Sequence, residues 1–257
     1  MRGLYDIRSN DRGVSESIGF LLIFTIVIAG IGLVTLYGYP LLLQQQVSAD
    51  EKIMEKNMIV LQNDIKSLAY KTVPYKETSL KIGSGSLTVY NSSYTPSSST
   101  LDITYPGYVD SFRSGELRFE SVSAQTDISL QNGAVVMRPR ITKGSTMLAE
   151  PRWFYDKSTR TMVINLINIT SDNLMAKEGI GTVRMKLGKT KYIPINSPGS
   201  TLTINYTNYT PNSDQDYSVA WGNYFTKNLG MTSGVSYTLP NVDWLIIKEY
   251  EVKIESI

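Results

Sequence analysis

The sequence predicts an α+β protein: a long N-terminal hydrophobic helix, a rod, followed by a mainly antiparallel, β-sandwich-like exported domain. Three observations lead there. Residues Ile18 to Gln46 carry no charged side chain, and a helix needs only about 20 apolar residues to cross the hydrocarbon core. Past Pro40 the apolar residues continue at helical spacing as far as Tyr70. Beyond Pro74 the period switches to strict alternation, the mark of half-buried strands. The basic N-terminal run and these changes of period divide the chain into a leader (1–13), a transmembrane helix (14–72) and an extracellular β-rich domain (75–257).

The leader contains Arg2, Arg8 and Arg12 against Asp6 and Asp11, and the first charges beyond the apolar segment are Asp50 and Glu51. That bias predicts a single-pass membrane protein with the N-terminus in the cytoplasm and the C-terminal domain outside. An ordinary secretory signal loses its apolar region to cleavage behind it. Here the cut-site candidate, Arg12-Gly13-Val14-Ser15, precedes the apolar region, so processing retains it.

Within the helix, Gly30, Gly32 and Gly38 are costly in water but tolerated in lipid or in a close helix bundle. Gly30 and Gly38 lie broadly on one side, which suits a partner helix; small residues tolerated anywhere in lipid explain them equally well. Pro40 removes a backbone donor and is expected to kink or locally melt the helix near Leu36. Val47, Met54, Met58, Leu61, Ile65 and Leu68 then recur at spacings of 3, 4 and 7, with Lys52, Glu55, Lys56, Asp64 and Lys66 between them. This is an amphipathic continuation with one face for a globular partner, and Val73-Pro74 ends it.

The run Arg12-Gly13-Val14-Ser15-Glu16-Ser17-Ile18-Gly19-Phe20 resembles the start of the archaeal type IV pilins, the broad family that includes archaellins and pilin-like surface proteins. Their class III leaders are cut between a basic-plus-small pair and a mature segment that opens Val-Ser, two variable residues, then Ile-Gly and an apolar run. The resemblance covers roughly residues 12 to 45. It implies cleavage after Gly13 by a prepilin-peptidase-like membrane aspartyl protease. It further implies a lipid-embedded state before assembly, and assembly with copies of itself through Glu16, Ile18, Gly19, Gly30, Gly38 and Pro40. Bacterial pilins carry Glu at the fifth mature position, which here is Ile18, and the commonest archaeal pattern has Pro where this chain has Glu16. Glu16 can pair with the new ammonium of Val14, as a carboxylate beside an apolar bundle must be paired or neutralised, or it can sit at the headgroup level in water.

Beyond Pro74, short strands are expected around Leu80/Ile82, Leu87/Val89, Leu101/Ile103/Tyr105, Leu117/Phe119, Ile128/Leu130, Met162/Ile164/Leu166, Val183/Met185/Leu187 and Leu202/Ile204/Tyr206. Asn132-Gly133 signals a tight hairpin, and Asp156 to Thr159 joins two more strands in the same way. Ser92 to Thr100 reads as a loop, and Tyr217 to Leu229 as a short helix with Ala220, Tyr224 and Leu229 on one side. Trp244, Ile246, Tyr250, Val252 and Ile254 share one side of a final strand, with Lys248 the exception. The expected result is a sandwich or twisted sheet packed on the second half of the helix.

Composition narrows the chemistry. The formal charge is +2 over 257 residues with both signs scattered, so no nucleic-acid footprint exists. Cysteine and histidine are both absent, which excludes disulfides, Cys- or His-based metal sites and the common nucleophile–base pairs. No Walker loop, nucleophile elbow or dinucleotide fingerprint occurs, and no cofactor or catalytic residue is assigned.

Candidate surface features remain. Asn91, Asn168, Asn205 and Asn208 head glycosylation sequons, and Asn91 and Asn208 have the loop-like context an acceptor needs. Trp153, Phe154 and Tyr155 form an aromatic cluster that reads as core and edge packing ahead of a carbohydrate platform. Arg138, Arg140, Arg152 and Glu150 read as a solvated, partly paired charge set ahead of an anion site. Asp214 with Asp216, or Asp156 with Asp172, have no recognised calcium spacing. The leading expectation is a structural filament subunit with adhesion by the β-domain. The alternative is a monomeric membrane-anchored β-domain that binds a ligand or envelope component; an anchored hydrolase ranks third.

Overall fold

A computed structural model describes residues 11–71, 73–92, 99–121, 123–142, 144–207 and 216–257. Helix α1 (Asp11–Leu33) leads through a π-helical turn (Val34–Gly38) into α2 (Tyr39–Lys71). The π turn is the disturbance expected ahead of Pro40. Proline offers no N–H to the Leu36 carbonyl, and the ladder widens one residue earlier, where Tyr39 N–H donates to the Val34 carbonyl. Helix α2 stops at Lys71, before Val73-Pro74, because a residue preceding proline avoids the α region.

The chain divides into two compact units between Ala49 and Asp50. In the first, the large apolar side chains from Ile18 to Leu43 are exposed. Its two threonine hydroxyls turn back onto the helix, Thr25 to the Leu21 carbonyl and Thr35 to the Ile31 carbonyl, each at 2.8 Å. That leaves neither hydroxyl seeking water along this stretch.

The second unit contains the C-terminal part of α2 and twelve strands: β1 (Tyr75–Tyr90), β2 (Thr100–Tyr105), β3 (Tyr108–Arg113), β4 (Glu116–Ser121), β5 (Thr126–Gln131), β6 (Ala134–Pro139), β7 (Thr146–Ala149), β8 (Phe154–Asp156), β9 (Thr161–Ser171), β10 (Met175–Thr207), β11 (Thr232–Ser233) and β12 (Tyr237–Ser256). They hydrogen-bond into one sheet in the order β7-β6-β5-β4-β1-β10-β12-β9-β8, with β11 on β12 and the β2–β3 hairpin on β10. All pairs are antiparallel except β9 with β12. Helix α3 (Ser218–Asn223) continues into a π-helical turn (Tyr224–Asn228) and buries Ala220, Tyr224 and Leu229 as the sequence pattern requires.

Two hydrophobic cores lie on opposite faces of the sheet. Strand β9 shows the division, giving Met162, Ile164 and Leu166 to one core and Ile167 and Ile169 to the other, as alternation along a strand demands. The second of these is roofed by α2, whose Met54, Met58, Leu61, Ile65 and Leu68 meet Leu80, Leu87, Phe119, Ile128 and Val183. The first holds an aromatic cluster of Trp153, Trp221, Tyr224 and Phe225, with ring centroids 5.6 to 6.2 Å apart.

The β5–β6 turn has the predicted hairpin chemistry. Asn132 and Gly133 have φ of 46° and 73°, the positive pair that matches the twist of adjoining strands. Strand β12 departs from the simple amphipathic expectation. From Trp244 onward its even positions do share a face, but only Val252 and Ile254 are buried there. Trp244 is exposed, and the odd residues Leu245 and Ile247 are buried in the aromatic core instead. A strand serving two cores in succession shows its inward face on both parities.

Candidate functional site

The first candidate is the apolar helix itself. A Cβ built on Gly19, Gly30 or Gly32 meets nothing within 4 Å, and one on Gly38 meets only Val34 Cγ1, at 3.6 Å. Packing among the described residues therefore gives no reason for glycine there. Among the described residues, this is the one helix long and apolar enough to cross a membrane. The side chains of Arg12, Gly13, Val14, Ser15 and Glu16 lie outside the described residues, as does the leader before Asp11; Ile18 and Pro40 are exposed on the helix.

A buried polar network on β4, β5 and β6 had no signature in the sequence. Glu116 pairs with Arg118 and accepts from the Ser129 hydroxyl, and Asp127 pairs with both Arg138 and Arg140, the latter at 2.6 Å. Arg118, Asp127, Ser129 and Arg138 are all nearly inaccessible, which overturns the expectation of a solvated set for Arg138. Burial works against the Arg118 charge, but Glu116 beside it more than compensates, and the guanidinium pKa rises. The Tyr217 phenol is pushed up by burial and then by the same carboxylate. Both oxygens of Asp127 and of Glu116 are engaged, so the cluster serves to lock three strands together.

The third feature is a groove at the end of α2. The helix roofs its sheet face only as far as Tyr250, where Tyr70 packs edge-on with ring centroids 5.4 Å apart. Beyond that point the face is open. Strand registers bring Phe154, Val163, Ile246 and Pro194 into one cross-strand row, and Asn165, Lys248 and Tyr192 into the next. Phe154 is 50% exposed, Tyr192 60% and Trp244 44%. Arg152 lies over the Tyr70 ring at 4.9 Å and Lys248 over Tyr192 at 5.9 Å, both within cation–π range. The hollow measures about 710 Å³, and a second of about 530 Å³ shares Tyr70 and Arg152 with it and adds Lys66 and Lys71. Burial, then the nearby Arg152, lowers the Lys66 pKa.

The other sequence candidates are dispersed. Trp153 is core, as expected, and donates to the Asn165 carbonyl at 2.8 Å, whereas Phe154 points to the opposite, open face. The Asn91 amide nitrogen, the atom a glycan would use, donates to the Ser171 carbonyl at 2.6 Å. Asn208 and Asp214 lie outside the described residues. Asp156 closes its own turn through Ser158 and Thr159, and Asp172 pairs with Lys253 at 2.8 Å. The described residues contain no cluster of three or more Asp and Glu suited to a metal ion. Sequence reading missed the Tyr70–Arg152–Lys248 grouping. The available signal was Lys248, a cation interrupting an apolar strand face.

An α+β chain with one apolar helix of membrane-spanning length and a mostly antiparallel sheet domain is thus defined. The chain belongs to DUF7289, a family of unknown function, which it matches over residues 12–252. Comparison with curated proteins and with solved structures finds no match.

Proposed function

We propose that this protein is a pilin-like structural subunit of a surface filament, cut after Gly13 and polymerised through its N-terminal helix, with a sandwich-like β-domain displayed outside the cell. One observation carries the reading. The large apolar side chains from Ile18 to Leu43 are exposed and free of charge, while residues of α2 from Met54 onward form the core of the β-domain. The first stretch needs an apolar environment that the chain itself does not supply. Lipid provides it before assembly, and a bundle of identical helices provides it afterwards. Transfer between the two is driven by close packing, since lipid tails are as apolar as leucine. Gly30 and Gly38, unexplained within the chain, are suited to that close approach. Adhesion then belongs to the β-domain.

Mass spectrometry of the native N-terminus tests processing; a mature chain beginning at Val14 is expected. Gly13→Leu is expected to leave precursor in the membrane. Electron microscopy of sheared filaments tests assembly. A chain that retains Met1 and is absent from every filament overturns the reading.

A further inference from the structure

We propose that the open sheet face beyond α2 is a binding platform for an acidic polysaccharide, with Phe154, Tyr192 and Trp244 stacking on sugar rings and Arg152 and Lys248 pairing with sugar carboxylates. The inference deepens the adhesion reading. It requires an exported domain but not polymerisation.

Charge singles this face out. The two adjoining hollows are lined by Lys66, Lys71, Arg152, Lys191 and Lys248, and by no Asp or Glu. Lys191 is held by Glu249 at 3.6 Å, but Arg152 and Lys248 have no carboxylate within 4 Å among the described residues, in a domain that pairs many of its other cations. Gathering like charges costs free energy unless an anion offsets it; the Lys66 charge is opposed first by burial and then by Arg152, with Glu150 acting the other way. The occupant is therefore acidic.

The apolar component of the face consists of separated aromatic rings. Tyr192 lies opposite Lys248, and Trp244 opposite Asn196, four residues along β10. At ~3.3 Å per residue that separates the two rings by roughly 13 Å, room for an oligosaccharide. Thr190, two residues before Tyr192, and Asn196, opposite Trp244, place a hydroxyl and an amide at either end of this row of rings, where sugar hydroxyls need partners. An aromatic face takes the C–H side of a pyranose and leaves its hydroxyls to such groups.

An extended peptide would use the strand edge instead, and this edge is guarded. From Thr190 to Asn196, β10 pairs only with β12 among the described residues. Pro194 there lacks a donor, and Lys189 and Lys191 flank the edge with charge, features that discourage strand addition.

The test uses the full chain dispersed in detergent, so its result does not depend on filament formation. Oligogalacturonate is titrated calorimetrically, with a maltooligosaccharide of equal length as the neutral control and polyglutamate as the control for charge alone. Trp153 and Trp221 are buried, whereas Trp244 is exposed. Oligogalacturonate should therefore shield Trp244 from acrylamide quenching, and Trp244→Phe should abolish that protection. Arg152→Gln and Tyr192→Ala are each expected to weaken binding about tenfold, and Lys248→Gln should act in the same direction. Absence of oligogalacturonate binding overturns the proposal, as does equal affinity for either control or no effect of the three variants. Trp244 found shielded without saccharide, in a self-associated form, would assign the face to a second copy of the chain and likewise overturn it.

Discussion

The side-chain amide of Gln62 donates to the backbone carbonyl of Gly133 at 2.7 Å, in the buried seam between α2 and the β5–β6 turn. The same nitrogen reaches the Glu150 carbonyl at 2.9 Å. Gln62 is the single polar residue buried on an α2 face otherwise made of Met54, Met58, Leu61, Ile65, Leu68 and Ala69. It satisfies two carbonyls that the sheet leaves unpaired, and so fixes which turn of helix meets which hairpin.

Gln62→Leu keeps the volume and removes the donor. The Glu150 carbonyl keeps the Lys66 ammonium at 3.2 Å, but the buried Gly133 carbonyl loses its side-chain donor, at a cost of about 1–3 kcal/mol, so the variant should unfold at clearly lower denaturant than wild type. Urea titration of the detergent-dispersed chain checks this. An unchanged midpoint would show that water replaces the amide.

How much of this was legible in the sequence follows from the kind of signal each feature leaves. Gln62 could not be read there, because a polar residue within a heptad-like seam looks the same whether it faces solvent or a hairpin. The helix, its stop before Pro74, the Asn132-Gly133 turn and the alternating strands were legible, because each depends on neighbours in sequence. The π-helical turn was partly so, since Pro40 announces a missing donor but not how the ladder adjusts. Arg138 was misread as solvated because its partner Asp127 is contributed by an adjacent strand. Two carboxylates and three arginines spread from β4 to just past β6 show no local pattern until the registers set them side by side. The groove was invisible for a related reason. It exists because α2 ends at Lys71 while β9, β10 and β12 run on, and relative element lengths in space are not written in periodicity.

The Asp127 cluster makes a second prediction. Asp127→Asn leaves Arg138 buried without its counter-charge, and breaking a buried pair from one side costs about 3–5 kcal/mol. Replacing both residues, Asp127→Leu with Arg138→Met, should recover most of the loss, because the desolvation of two charges disappears with them. Thermal unfolding of the single and double variants checks the sign. A double variant as unstable as the single would mean that the cluster contributes more than its ion pairs.

Gly115 supplies a third. It joins β3 to β4 with φ of 58°, and a Cβ there would run into the Ile169 carbonyl of β9. That close approach is used, since Ile169 N–H donates to the Ser114 carbonyl at 2.6 Å. Gly115→Ala combines left-handed strain with a backbone clash and should cost about 3 kcal/mol or more. Gly107 is also at positive φ, but a Cβ added there would have nothing within 4 Å. Gly107→Ala should therefore cost only about 1–2 kcal/mol. Chemical denaturation of the two variants side by side checks the ranking, and equal losses would show that strain alone matters.

Alkaline pH should expose the buried tyrosines. Burial is the first cause that raises the phenol pKa of Tyr70, Tyr206, Tyr217 and Tyr224 above the ordinary value of 10.0. The folded state thus favours the neutral phenol, and the unfolded chain ionises first as pH rises. The resulting stability is fully present below about pH 10 and is lost progressively as pH climbs from there toward the folded-state values. Phenolate absorbance should therefore rise in two stages. A reversible first stage is followed by a second, in which the buried group appears only together with loss of the near-ultraviolet circular dichroism of the aromatic core. Tyr217→Phe should move that second stage to higher pH, because it removes a buried hydroxyl with no hydrogen-bond partner among the described residues and a phenol raised further by Glu116. A single reversible titration with the tertiary signal intact would mean that these rings are open to solvent.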